Sequence, residues 1–580
     1  MKFIRRLLIK DLFSRLEDYS FCLKAEQRPE FFKKLRPHLI DITNEFVRIN
    51  ALAESSFVKD MNGKFKTNLF GLLLKRWALD YFFRLFDILD NCAVLNKKII
   101  LEDIPLNRFA VKEYSKRFNI LGPIEWENGS TFFQRLFSIF VRCNLIVYLS
   151  LNKGIRISKH RKKYKVMREA LWGLYGAGGY YFHDDFLVDG NNIKKEDLLL
   201  FSRGVPKEIG RLKGYKDAKK SCYAHFDLHS LSINLGTLFM RIVPKYIFST
   251  VKTFLKEIES DNFTIYWSVY AFFIYNALPY ERVFSHFEVR SELGHNYFSA
   301  GHIAEAIVCQ NYGTKYYLMH WSDNTLPIIR YSIAFLGCNK FLTWGRAHMR
   351  GVECNPNTLI RTGFVFKRFI KDVSNNRNKV LSDMRIAPRG KIVTFFDESF
   401  GFGSEMTEEH FVIFWKAILK LAELEKDNTI VVKPKYFENY KALSQKFKKE
   451  YTVILERIKK LRNAYIINER KWSFIEAIGI SDIVITQGMT SSATIAIICG
   501  IEGLYLDQFG YEHQFSKLFK DRIVFDDVDK LIDMVHKIII GEESPQRDIS
   551  EDLLRDFDEY PDERGIDLFR DIFSGQSNIG

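Results

Sequence analysis

From Lys391 to Ile540, short runs of β-branched and aromatic residues alternate with longer amphipathic stretches, and no other feature of the chain restricts its fold as much. The runs Lys391–Phe396, Thr429–Lys433, Ala464–Asn468, Ile483–Ile485 and Ile523–Phe525 are short and nearly unbroken by polar residues, as strands buried on both faces are. Between them lie helical patterns. One is capped by Thr407 with Glu408 and Glu409 in its first turn, and another spans Val528 to Ile540. Strand and helix alternating at this spacing predict a doubly wound parallel sheet.

The sharpest local signal lies inside that pattern. Ser481–Ile485 reads as a strand, Gln487-Gly488 as a turn, and Thr490, Ser491 and Ser492 as a helix start, with Gly500 closing the helix. Hydroxyls and free amides at a helix N-terminus, beyond the carboxyl end of a parallel strand, form an anion site suited to a diphosphate or phosphoester. An ordinary strand-to-helix turn with a serine cap is the alternative reading.

Length points to several units, because a chain of 580 residues exceeds one hydrophobic core. Residues 1–95 read as a mainly helical extension, 96–372 as a first Rossmann-like domain with insertions, 373–390 as a polar linker, 391–545 as a second Rossmann-like domain and 546–580 as a tail. Within the first part, Met1–Leu16 is a basic amphipathic helix that either docks on the protein or lies on an anionic membrane. Lys97–Glu102 and Asn144–Leu151 read as strands, and Lys153–Arg168, the densest positive run, as a solvated loop or helix face. From about residue 285 the α/β alternation begins, with strands at His286–Arg290, Lys315–Met319, Lys340–Trp344 and Ile360–Gly363.

A net charge of +15 calls for an anionic partner: nucleic acid, acidic lipid or a charged sugar nucleotide. No nucleic-acid motif supports the first. Eight scattered cysteines with no CxxC pair read as reduced core thiols in a cytoplasmic protein, without a zinc site. The uncharged run Asn262–Tyr280 carries Asn, Ser, Pro and several Tyr, which favours a buried core helix over a membrane span. Gly176–Gly190 places His183, Asp184 and Asp185 after a glycine cluster. The two carboxylates could position an acceptor hydroxyl or hold a divalent ion, or simply build a turn.

Several strand ends, taken in order, resemble one enzyme group. Leu318–Trp321, then Phe341–Gly345 with Thr362-Gly363, look like the end of the first domain of bacterial surface-polysaccharide transferases. Val432–Lys435 is similar to the "KPH" motif of CDP-glycerol glycerophosphotransferases and Kdo transferases, and Ser481–Ile485 with Thr490–Ser492 resembles their donor loop. The latter also resembles the "PFTS" segment of polysaccharide-biosynthesis proteins. Lys435 stands where a His is common, Met489 where Pro or Phe is, and Trp321 where Gly is.

The resemblance implies an α/β GT-B fold, two Rossmann-like domains facing across a cleft, behind the helical extension. It implies a glycosyltransferase that moves a sugar from a nucleotide-activated donor to a surface polysaccharide or lipid-linked glycan. No metal or other cofactor and no nucleic acid would be needed. The enzyme would work on the cytoplasmic side, with an anionic membrane surface as a further partner. Donor-binding candidates are Asp397, Lys433, Lys435, Gln487, Gly488, Thr490, Ser491, Ser492 and Asp507; candidates for the base on the acceptor hydroxyl are Asp184, Asp185, His320 and Glu398. Two other readings compete. One is a non-catalytic basic scaffold on membrane or nucleic acid. The other is a sugar-nucleotide 2-epimerase of the same layout.

Overall fold

A computed structural model gives the architecture. It describes residues 38–94, 98–118, 122–127, 132–151, 161–169, 192–202, 237–295, 298–320, 333–349, 358–400, 406–435, 443–468 and 471–575, with short pieces between them. The amphipathic stretch at Met1–Leu16 and the Asp184-Asp185 pair lie outside the described residues.

Two parallel sheets organise the chain. The first has seven strands: β1 (Lys162–Glu169), β2 (Leu198–Ser202), β3 (Ala224–Asp227), β4 (Phe287–Gly294), β5 (Lys315–Met319), β6 (Lys340–Thr343) and β7 (Leu359–Arg361). Their spatial order is 3-2-1-4-5-6-7. The second sheet has six: β8 (Ile392–Phe396), β9 (Thr429–Lys433), β10 (Ala464–Ile466), β11 (Ile483–Gln487), β12 (Glu502–Leu506) and β13 (Val524–Phe525). Their order runs β10-β9-β8-β11-β12-β13, the same winding, and every pairing in both sheets is parallel. Such an order reverses direction once, between β1 and β4 in the first sheet and between β8 and β11 in the second. Ligands bind beyond the strand carboxyl ends at such a reversal. Each sheet thus organises a Rossmann-like lobe.

The strands form where the sequence supplies residues that tolerate burial on both sides. In β11, Ile483 and Ile485 join one apolar layer and Val484 the other. In the first sheet Met167, Leu199 and Phe201 face one layer, and Val166, Leu198 and Leu200 the opposite one. The helices Leu39–Ile49, Ser56–Phe65 and Phe70–Val94 share the first of these cores with Tyr164 and Val289, so the helical extension is built onto the first lobe. Phe263–His286 is a helix buried along most of its length. No helix among the described residues is long and apolar enough to cross a membrane.

Two expectations are corrected, and a third gains detail. Asn144–Leu151 is the end of a helix, Phe132–Leu151. A short apolar run carries no period of its own, and the helix is visible only from the full run. The basic run Lys153–Arg168 is no solvated loop: most of its second half is β1, next to the first sheet's reversal point. Its alternation hides the strand, because Tyr164, Val166 and Met167 turn inward, Lys163 lies near Glu288, and Lys165 pairs with Asp197. The polar stretch read as a linker is largely helical, in Lys367–Asn375 and Arg377–Met384.

The tail folds back across both lobes. Helices Glu551–Phe557 and Gly565–Ser574 bury Phe557, Phe569 and Phe573 in a core shared with β1, β2, β8 and β11. Gly345 and Gly363, from the two glycine motifs of the first lobe, meet this tail. A Cβ on Gly345 would lie 2.4 Å from the Asp556 carbonyl oxygen, and one on Gly363 would lie 2.8 Å from Asp558 Oδ1. Asp558 also accepts from the Phe364 amide and pairs with Lys367.

Candidate functional site

The carboxyl ends of β8 and β11 flank the reversal point of the second sheet. Phe396 ends β8 and is followed by Asp397 and Glu398; Gln487 ends β11 and is followed by Gly488. The Gln487 side chain ties the two strand ends together, its Oε1 accepting from the Glu398 amide at 3.1 Å. Gln487 is buried, and its Nε2 has no hydrogen-bond partner among the described residues. A buried amide donor left unmade costs about 1–3 kcal/mol, so it is a group that a ligand could satisfy.

Gly488 makes the turn possible in two ways. Its φ is +61°, a left-handed conformation, and a Cβ there would sit 2.0 Å from Met406 Cε. The turn delivers the chain to Thr490, the N-cap of the Ser491–Ile498 helix, whose extended backbone (φ −98°, ψ 161°) is right for a cap. The Thr490 side chain makes no capping hydrogen bond. The first-turn amides of a helix have no intrahelical acceptor by geometry and point out of its N-terminal end. Thr490, Ser491 and Ser492 are half-buried.

A contact between the lobes helps to orient them. Ser491 Oγ donates to Ser322 Oγ at 3.0 Å, and Ser322 follows β5 of the first lobe. The helix start therefore faces the opposite lobe. Sequence reasoning did not place Ser322 at the site. Its position just past β5 was the available signal.

Lys435 and Lys433 bring positive charge to the end of β9. The Lys435 ammonium pairs with Glu398, and its amide donates to Asp397 Oδ1 at 2.6 Å. Lys433 Nζ reaches the Pro434 carbonyl oxygen at 3.2 Å. Asp397 is buried beneath this pair. Burial pushes its carboxyl up to about 7, with the Glu398 charge adding and the Lys435 amide and Lys433 ammonium opposing. Glu398 also accepts from the Ser399 amide at 2.7 Å.

The structure thus brings Asp397, Glu398, Lys433, Lys435, Gln487, Gly488, Thr490, Ser491 and Ser492 to one crest. Asp507 is corrected. Although it ends β12, it is buried and accepts from the Phe509 and Tyr511 amides at 3.2 and 2.7 Å, so it builds its own loop. His320 is also placed differently from an open base. Its ring is buried against Trp344 and against His348, whose ring centre lies 4.5 Å away, and Trp344 Nε1 donates to its carbonyl oxygen. His348, on the short helix Arg346–Met349, was missed by sequence reasoning, and nothing local to it marks the pairing.

No family model matches this chain, and no curated protein matches it. Solved structures do overlay on it. The wall teichoic acid polymerase TagF is 9% identical, with a TM-score of 0.43, over 77% of this chain and 96% of that one. The UDP-GlcNAc 2-epimerase from Neisseria meningitidis bound to UDP-GlcNAc is 11% identical, with a TM-score of 0.40, over 71% and 99%. Medicago truncatula UGT71G1 complexed with UDP-glucose is 9% identical, with a TM-score of 0.37, over 72% and 99%.

Proposed function

We propose that this protein is a glycosyltransferase that takes a sugar from a nucleotide-activated donor and adds it to a surface polysaccharide or lipid-linked glycan, working from the cytoplasmic side. One observation carries the reading. A helix N-terminus whose cap side chain is unused stands at the reversal point of the second sheet and is turned toward the other lobe by the Ser491–Ser322 contact. The donor's phosphates would lie over Thr490, Ser491 and Ser492, and Gln487 Nε2 offers a buried donor beside them. Breaking the sugar–phosphate bond leaves charge on the departing phosphate, and fixed amides with Lys433 and Lys435 stabilise that charge.

Glu398 would serve as the base for the acceptor hydroxyl, once Lys435 is drawn to the phosphates and releases it. Asp184 and Asp185, which follow β1 in the chain, are the alternative bases. Charge supplied by amides and lysines makes the transfer independent of metal. Activity should survive EDTA; loss on chelation with recovery in Mg²⁺ or Mn²⁺ overturns that part of the reading.

The direct test is thermal unfolding with CMP, CDP, UDP and a short RNA. Stabilisation by a nucleoside diphosphate and none by RNA is expected. The opposite pattern would favour the scaffold. Incubation with sugar nucleotide but no acceptor separates the epimerase, which would change the sugar with no acceptor present.

A further inference from the structure

The first lobe carries a band of apolar side chains in water that the transferase reading does not use. It lies on three segments in mutual contact: the helix Phe132–Leu151, the π-helix Leu238–Phe248 and the helix Ser249–Lys256. Met240 is 79% exposed, Phe248 64% and Phe239 62%. Leu255 is exposed on the third segment, and Leu136 and Val147 on the first, three helical turns apart and so on one face. Other positions on the same segments bury Ile139 and Ile146, Leu238, Ile242 and Tyr246, and Phe254. These segments are therefore apolar toward the core and toward solvent as well. Protein surfaces seldom leave contiguous apolar patches larger than a few hundred Å² without a partner.

Charge says which partner fits. The three segments carry Arg135, Arg142, Arg241, Lys245, Lys252 and Lys256 and no carboxylate; acidic residues resume at Glu257. Some of this charge is held by the protein. Arg135 donates to the Ile258 and Ser260 carbonyls, Arg241 and Lys245 reach Asn311, and Lys256 lies 3.5 Å from Asp60. Lys252 and Lys256 remain exposed beside Val251 and Leu255. A second copy would set the same basic face against itself. An anionic lipid surface complements it, taking the apolar side chains at the headgroup boundary and the lysines among the phosphates.

We infer that this three-helix face seats the protein flat on an anionic bilayer surface. The inference does not depend on the transferase reading, because none of its residues belongs to the crest at β8 and β11. Its test is flotation of the full chain with vesicles of pure phosphatidylcholine and of phosphatidylcholine containing one-third phosphatidylglycerol. Wild type should float with the anionic vesicles and bind at least about tenfold less to the neutral ones. Met240→Glu with Phe248→Glu should lower anionic-vesicle binding about tenfold or more, with unchanged thermal unfolding because both side chains already face water. Lys252→Glu with Lys256→Glu should lower it as well, and only on the anionic vesicles. Wild-type protein that fails to float, or variants that float as well as wild type, would overturn the proposal. So would sedimentation showing that the Met240→Glu, Phe248→Glu chain changes from dimer to monomer while its vesicle binding is unaltered, since a second copy would then be what covers the face.

Discussion

Asp397 shows how a strand-end carboxylate becomes a titrating group. In the native chain it holds its proton until about pH 7, whereas its ordinary value is 3.8. Between those values the native state binds one proton more than the unfolded state, so this residue's contribution to stability falls as pH rises through that window. The full swing is on the order of 4 kcal/mol. Asp397→Asn mimics the protonated form and keeps an acceptor for the Lys435 amide. Relative to wild type it should gain stability steadily from about pH 4 to about pH 7 in urea unfolding; parallel profiles for the two proteins would show that the carboxyl is not held protonated. Gly488 makes a second point at the same scale. Gly488→Ala should cost about 2–4 kcal/mol, part from the left-handed backbone and part from the overlap with Met406. Combined with Met406→Ala, the loss should be smaller than the sum of the two single losses; strict additivity would mean that the two side chains do not meet.

The Ser491–Ile498 helix can be tested as an element, because its geometry allows the amide to be removed without removing the helix. Ser491 is the first helical residue and Thr490 before it is extended, the arrangement proline favours. Ser491→Pro should therefore leave stability within about 1 kcal/mol while deleting one amide from the anion site. Ser491→Ala keeps the amide and deletes only the hydroxyl that reaches Ser322. Calorimetric titration with a nucleoside diphosphate should show weaker binding for the proline variant than for the alanine variant, by about tenfold. Equal affinities would place the phosphates elsewhere. Elements also mark where local reading works and where it fails. β11 and the helix after it were legible because their run is apolar throughout and their caps are local. β1 was not, because Lys165 is satisfied by Asp197 and by the Asn192 carbonyl on a distant segment.

At the scale of the molecule, the tail locks the two lobes into one body. A Cβ on Gly565 would sit 2.2 Å from the Thr362 carbonyl oxygen. Gly565→Ala should push the last helix off the first lobe and expose the tail to limited proteolysis before Glu551, with earlier thermal unfolding. Resistance equal to wild type would mean that the tail is not packed there. Arg377 ties the segment between the lobes to the second lobe: it forks onto Asp482 at 3.1 and 2.6 Å while Asp482 also accepts from the Ile392 amide. Burial opposes the Asp482 charge, yet Arg377 and that amide outweigh it and hold the carboxyl below its usual range. This contribution is present above the ordinary carboxylate value and is lost as pH falls through the lowered one.

Read alone, the order of residues determined the parallel α/β architecture of the second lobe, the turn at Gly488 and the helix start after it. Strand burial, caps and positive-φ glycines are set by neighbours a few positions away. Tertiary structure alone decided that Ser322 meets Ser491, that Asp507 is used up by its own loop, that His320 is buried against His348, and that the basic run is a strand in the first sheet. Each of these depends on which surfaces segments distant in the chain present to one another, and that is settled only when the two sheets and the tail close around shared cores.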